Sequence, residues 1–220
     1  MNLTALAQTT QIAAAVSSIA LARRRVEHVP AAIALVVLTA IPFVRDPVRT
    51  ALGPIPRPVD GAARVLVYID GAAEMATYAT LAGLALAVAA SQRRRVVALT
   101  VAAWAIASIV LGALYPSPIV RGEGLQRVYF AADLIGLFVS AAALVLWGQR
   151  NIVARRPPDS SSMVAFALVA LDGAILLAPF SPWRGALFGS DFAGIQVVVT
   201  MFFAVFTAAQ VIAWRSSSRG

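Results

Sequence analysis

The chain has 220 residues, 60% hydrophobic and 13% charged, with 18 basic residues against 10 acidic ones and a mean hydropathy of +0.82. Soluble domains carry about 25% charged residues, so this composition excludes an ordinary water-soluble domain and belongs in a bilayer. There is no Cys and a single His, His28, and all 18 basic residues are Arg; this excludes disulfides, thiolate metal sites, multi-histidine metal clusters and any lysine Schiff base.

Seven apolar segments follow one another along the chain: 4–21, 29–44, 65–90, 96–114, 128–147, 163–180 and 193–214. A membrane-spanning helix needs about 20 predominantly apolar residues. The pattern therefore predicts an all-α fold, a polytopic integral membrane bundle of about seven transmembrane helices forming a single domain over 1–220. The first segment is polar for a span (Gln8, Thr9, Thr10, Gln11, Ser17, Ser18), and the second, 29–44, has only 16 residues, with Pro30 and Pro42 near its ends. These two are expected either as short spans or as one re-entrant hairpin. Arg23–Arg25 follow the first segment, whereas a signal peptide has its positive region first, so the segment is read as a retained helix. The proline-rich stretch 45–64 is expected to be irregular, with Asp60-Gly61 capping the third helix. PPDSSS is expected to be a linker.

Orientation follows from the arginines. Loops 22–28, 91–95 and 148–162 and the tail 215–220 hold eleven, against seven in the alternate loops 45–64, 115–127 and 181–192. Arginine-rich loops stay cytoplasmic, which predicts the N-terminus outside and the C-terminus inside. The pI near 11.3 is spread over small loop clusters, so no nucleic-acid partner is expected. Arg without Lys fits the codon bias of a GC-rich genome. The expected location is the cell (plasma) membrane, multi-pass, as in a bacterial inner membrane.

Four carboxylates fall inside the apolar segments: Asp70, Glu74, Asp133 and Asp172. Each costs about 2.5–3.5 kcal/mol at a helix centre, so such acids should face the bundle interior or a water-filled cavity. Asp70, Glu74, Thr77 and Leu81 recur at helical spacing, with Tyr78 at the edge of the same face. Opposite them lie Ala72, Ala76, Ala79, Gly83 and Ala87, small residues suited to close packing. The bland alternative places Asp70 and Glu74 in the outer headgroup zone. Asp172 lies near the midplane of its segment, with Leu168, Val169, Ile175 and Leu176 one turn away on either side. No Arg falls inside any segment, so the expected partners are Arg64, Arg127 or Arg184 reaching inward from the outer ends, or neutral groups such as Tyr68, Tyr129, Ser140, Gln196, Thr200 and Gln210. Otherwise the carboxyls stay protonated or bind a cation. Arg64-Val65 precedes Asp70 as Arg127-Val128 precedes Asp133, a short internal echo of the kind seen in parallel-repeat transporters. Trp104, Trp147, Trp183 and Trp214 fit membrane anchoring, and His28 reads as a loop residue.

Seven helices with the N-terminus outside is a layout similar to that of microbial opsins and of sugar-exporting carriers with triple-helix repeats. Tyr68-Ile69-Asp70 resembles the Tyr-x-Asp of the opsin counter-ion helix. Val67 stands where pumps carry Arg, and the last segment has no Lys to hold retinal, so the resemblance would imply a non-photoactive relative. No phosphate loop, zinc signature or nucleophile elbow occurs, so neither a cofactor nor a metal is expected and the chain is not read as an enzyme. The residues point first to a carrier or channel for protons, cations or a small unknown solute, with Asp172, Asp70, Glu74, Asp133, Thr77 and Tyr78 as the candidate path. The alternative is a non-catalytic subunit or assembly factor of a larger membrane complex. The expected partners are then the lipid bilayer and other membrane subunits, or further copies of the chain.

Overall fold

The computed structural model describes residues 2–52, 61–89, 123–156, 159–177, 182 and 193–216. Among them the chain forms six α-helices: α1 (Leu3–Ala22), α2 (Val29–Leu52), α3 (Gly61–Ala89), α4 (Glu123–Val153), α5 (Ser160–Leu177) and α6 (Ala193–Ser216). A short 3-10 turn, Val26–His28, links α1 to α2. Six of the seven apolar segments coincide with these helices; the segment 96–114 lies outside the described residues. Three stretches are long and apolar enough to cross a membrane: Leu3–Ala22, Val26–Val48 and Ala193–Arg215. The first two segments are thus separate long helices rather than halves of a short hairpin.

The chain divides into two compact units, Met1–Thr39 with Asp159–Gly220, and Ala40–Pro158. In the first, α1 packs against α6. The buried seam of α1 is Ala7, Ala14, Ala15, Ser18 and Leu21, nearly all small, and Phe203 and Gln210 of α6 are buried. In a bilayer, lipid tails are as apolar as Leu, so helices associate through close packing and interhelical hydrogen bonds; a small-residue seam permits that approach. Ile12, Val16 and Ile19 lie exposed on α1 away from the seam.

Polar ties set the direction of the pair. Gln196 Nε2 donates to Thr4 Oγ1 at 2.9 Å, the Ser17 hydroxyl donates to Gln210 Oε1, and Gln210 Nε2 donates to the Ser18 hydroxyl. Start meets start and end meets end, so α1 and α6 run parallel. By contrast, Gln11 Nε2 donates to the Leu38 carbonyl at 3.3 Å and Thr39 Oγ1 to the Gln11 carbonyl at 3.5 Å, which makes α2 antiparallel to α1. α5 starts at the α1–α2 turn, where the Ser161 hydroxyl donates to the Glu27 carbonyl.

These bonds explain how so polar a first helix is accommodated. Thr9 and Thr10 donate to carbonyls of their own helix at 2.7 and 2.9 Å. Gln11 serves a particular need: Pro42 of α2 has no N–H for the carbonyl four residues back, and that carbonyl, Leu38, is the one Gln11 occupies. Side chains of neighbouring helices commonly satisfy backbone groups freed by proline in membrane helices. α2 therefore continues through Pro42 and Pro47 to Leu52, correcting the expectation that residues 45–52 are irregular.

Helix ends are capped as their sequences allow. Asn2 Oδ1 accepts from the Thr4 N–H at 3.0 Å, and Asp159 Oδ1 from the Ser162 N–H at 2.8 Å. At the end of α4, Arg155 takes φ 49°, with Arg155 N–H donating to Ile152 and Arg156 N–H to Asn151. This is the left-handed cap that Gly usually occupies.

In the second unit α3 packs against α4. The buried residues of α3 are Ala79, Leu81, Ala82, Leu84, Ala85 and Val88, while Ala87 is exposed. Close packing thus runs through Ala79, Ala82 and Ala85 rather than along the Ala79–Gly83–Ala87 line. Leu81 is buried, so the polar stripe does not extend to it as an open surface.

Candidate functional site

Asp70 is the best-defined of the membrane acids. It sits in the first half of α3, its side chain 7% exposed, and its Oδ1 accepts from Arg45 Nε of α2 at 3.1 Å, with the Arg45 side chain 23% exposed. Sequence reasoning placed the possible arginine partners at Arg64, Arg127 and Arg184. A described partner is Arg45, one residue past the point where the apolar pattern of the second segment ends. It reaches Asp70 because α2 remains helical beyond Pro42. Pro42 and Pro47 flank Arg45 and read as helix stops, so no local sign of this partner is legible in the sequence. A charge-assisted hydrogen bond of this kind ties α2 to α3 and gives Asp70 a structural role.

Asp172 presents the opposite case. On α5 the buried residues Ser161, Ala165 and Leu168 continue at helical spacing to position 172, whereas Met163, Phe166, Ala170, Ala174 and Leu177 are exposed on the other side. Asp172 therefore lies on the inward face, half-buried. It is 12 residues beyond Ser160, roughly 18 Å along a helix of roughly 27 Å. Among the described residues no hydrogen bond or ion pair engages its carboxylate.

Of the other candidates, Thr77 is half-buried and its hydroxyl turns back to the Ala73 carbonyl at 3.5 Å. The side chains of Glu74, Tyr78 and Asp133 lie outside the described part of the structure, as do Tyr68, Tyr129, Trp104, Trp183, Arg64, Arg127 and Arg184. Gln196, Thr200 and Gln210, named as neutral partners for the acids, are engaged elsewhere: Gln196 with Thr4, Thr200 with the Gln196 carbonyl at 2.7 Å, and Gln210 with Ser17 and Ser18. Among the described residues no group of three or more His, Asp or Glu side chains is placed to hold a metal ion.

Sequence reasoning missed His28. It lies in the α1–α2 turn but is only 1% exposed, and among the described residues neither ring nitrogen has a hydrogen-bond partner. The turn is covered because the start of α5 docks on it, a tertiary contact with no local signature.

The described structure is that of a helical protein with three helices long and apolar enough to cross a membrane. No protein-family model matches the chain, and no curated protein is significantly similar to it.

Proposed function

We propose that the chain is a small multi-pass carrier or channel of the cell membrane, moving protons, cations or a small solute past Asp172. The observation that carries the reading is the half-buried carboxylate on the inward face of α5, unpaired among the described residues. An ionisable residue at membrane depth is expensive and faces a cavity or a partner; here no described partner offsets the cost. A carboxylate that gains and loses a proton or cation during turnover gives such a position a purpose. Asp70, held by Arg45, orders the fold instead.

Helix directions support the topology. Parallel α1 and α6 require an odd number of crossings between them. Since α2 returns antiparallel and α5 starts at the α1–α2 turn, an odd number must also separate α2 from α5. α3 and α4 supply two, so one more is needed, and the apolar segment 96–114 is the natural third. That total is seven. The end of the first unit where α1 finishes and α5 starts gathers Arg23, Arg24, Arg25 and Arg215, which favours its cytoplasmic placement.

The test is flux into proteoliposomes across an imposed pH or cation gradient. Asp172→Asn keeps the side-chain shape, so it should fold and lose coupled flux. Unchanged flux in that variant, from a preparation whose wild type is active, refutes the assignment. The subunit reading rests on the exposed apolar residues of α6 (Val197, Val198, Met201, Val205, Ile212), a surface that suits lipid equally. It requires a copurifying membrane partner and no flux from the chain alone.

A further inference from the structure

The end of the first unit where α1 stops carries a surface that the transport reading does not use. Arg23, Arg24 and Arg25 are consecutive and exposed, and Arg215 is exposed in the last turn of α6. The two elements are joined side chain to side chain. The Arg24 guanidinium lies over the Trp214 ring at 4.2 Å from its centroid, and its Nη1 donates to the Trp214 carbonyl at 3.3 Å. Next to the arginines, Val26 is 80% exposed, an apolar tip at the apex of a charged turn. Among the described residues of the first unit, the acids at this end are Glu27, exposed, and Asp159, whose carboxylate already accepts the Ser162 N–H and hydroxyl. His28 is buried beneath. Positive charge thus dominates the outward surface, and a Trp and a Val stand beside it.

We propose that this surface docks the headgroup of an anionic phospholipid of the cytoplasmic leaflet. The argument is complementarity of two kinds. Arginine guanidinium groups match phosphate oxygens, and juxtamembrane basic residues attract anionic lipid. Trp214 and Val26 have the amphipathic or apolar character suited to the headgroup boundary, Trp being enriched there. The stack of Arg24 on Trp214 fixes one guanidinium and holds the end of α6 against the turn, so the arginines of two helices act at one place. A phosphatidylglycerol-type headgroup, with net negative charge and a small polar end, fits; a zwitterionic headgroup places a cation among the arginines.

The proposal rests on the chain being a membrane protein but not on its carrying anything, so loss of the transport reading leaves it standing. The experiment compares purified protein in neutral detergent titrated with phosphatidylglycerol or phosphatidylcholine, read by native mass spectrometry of retained lipid and by melting temperature. Phosphatidylglycerol should be retained preferentially and raise the melting temperature. R23Q/R25Q, at exposed positions, should fold as wild type and lose about fivefold in apparent affinity per arginine removed, about twenty-fivefold for the pair. R23K/R25K, which keeps the charge, should retain most of the preference. Equal retention of the two lipids, or an undiminished preference in R23Q/R25Q, overturns the proposal, as does inorganic phosphate producing the same rise in melting temperature.

Discussion

Arg45 and Asp70 allow a prediction whose sign pattern is as informative as its size. The gross attraction of two unit charges at 3.1 Å is about 5 kcal/mol at an effective dielectric constant of about 20, most of it offset by desolvation. What a mutation reveals is the charge it leaves behind. Arg45→Met takes a cation away from a carboxylate whose side chain is 7% exposed, and Asp70→Asn takes an anion away from a guanidinium that is 23% exposed and long enough to reach water or headgroups. The first change should therefore cost about 3 kcal/mol, the low end for breaking a buried pair, and the second about 1 kcal/mol. The double variant should cost about 1–2 kcal/mol, less than the sum, because neither charge then remains. Equilibrium unfolding in mixed micelles with increasing dodecyl sulfate, followed by far-ultraviolet circular dichroism, measures all four corners of the cycle. Equal single-variant costs, or strict additivity, would refute the claim that Asp70 is held as a buried, paired anion.

Three further outcomes follow from the described contacts. Gln11→Leu removes the donor to the Leu38 carbonyl that Pro42 leaves unserved, and should destabilise the fold by about 1–2 kcal/mol; combining it with Pro42→Ala, which restores the backbone N–H, should recover much of that loss in the same unfolding assay. Arg155→Gly relieves a non-glycine residue at φ 49° and should raise stability by about 1 kcal/mol; a lower melting temperature would contradict the cap geometry. His28→Leu replaces a buried ring that has no hydrogen-bond partner among the described residues with an apolar side chain of similar size, and should be neutral or slightly stabilising. A loss well above 1 kcal/mol in that variant would mean His28 makes an essential polar contact.

The sequence made the helices legible, because apolar runs of spanning length are set by bilayer thickness and need no tertiary knowledge. The sequence also marked Asp172 as an acid deep in an apolar segment, but the four apolar neighbours one turn away gave no inward face; burial of Ser161, Ala165 and Leu168 supplies it. It failed where one helix answers another. The end of α2 looked like an end because Pro42 removes an N–H and Arg45-Asp46 brings charge; only Gln11 of α1 and Asp70 of α3 make the continuation favourable. The same reasoning applies to the polar residues of α1, each a liability alone and each matched to its own helix, to α2 or to α6. In α3, alternative small-residue lines differ by one position, and the partner helix selects Ala79, Ala82 and Ala85 over the line through Ala87. The burial of His28 depends on the docking of α5 onto a turn more than a hundred residues earlier, which no local pattern encodes.

The central claim is that the inward face of α5 borders a water-accessible path at Asp172. Because the native chain has no Cys, single-cysteine variants at 170, 172 and 174 can be probed one at a time with a small, charged, thiol-specific methanethiosulfonate reagent in membranes. The account predicts modification at position 172, slowed by the transported ion or solute, and protection at positions 170 and 174, which face away where thiols surrounded by lipid stay un-ionised. Protection of position 172 equal to that of its two neighbours would show a dry interior and contradict the claim.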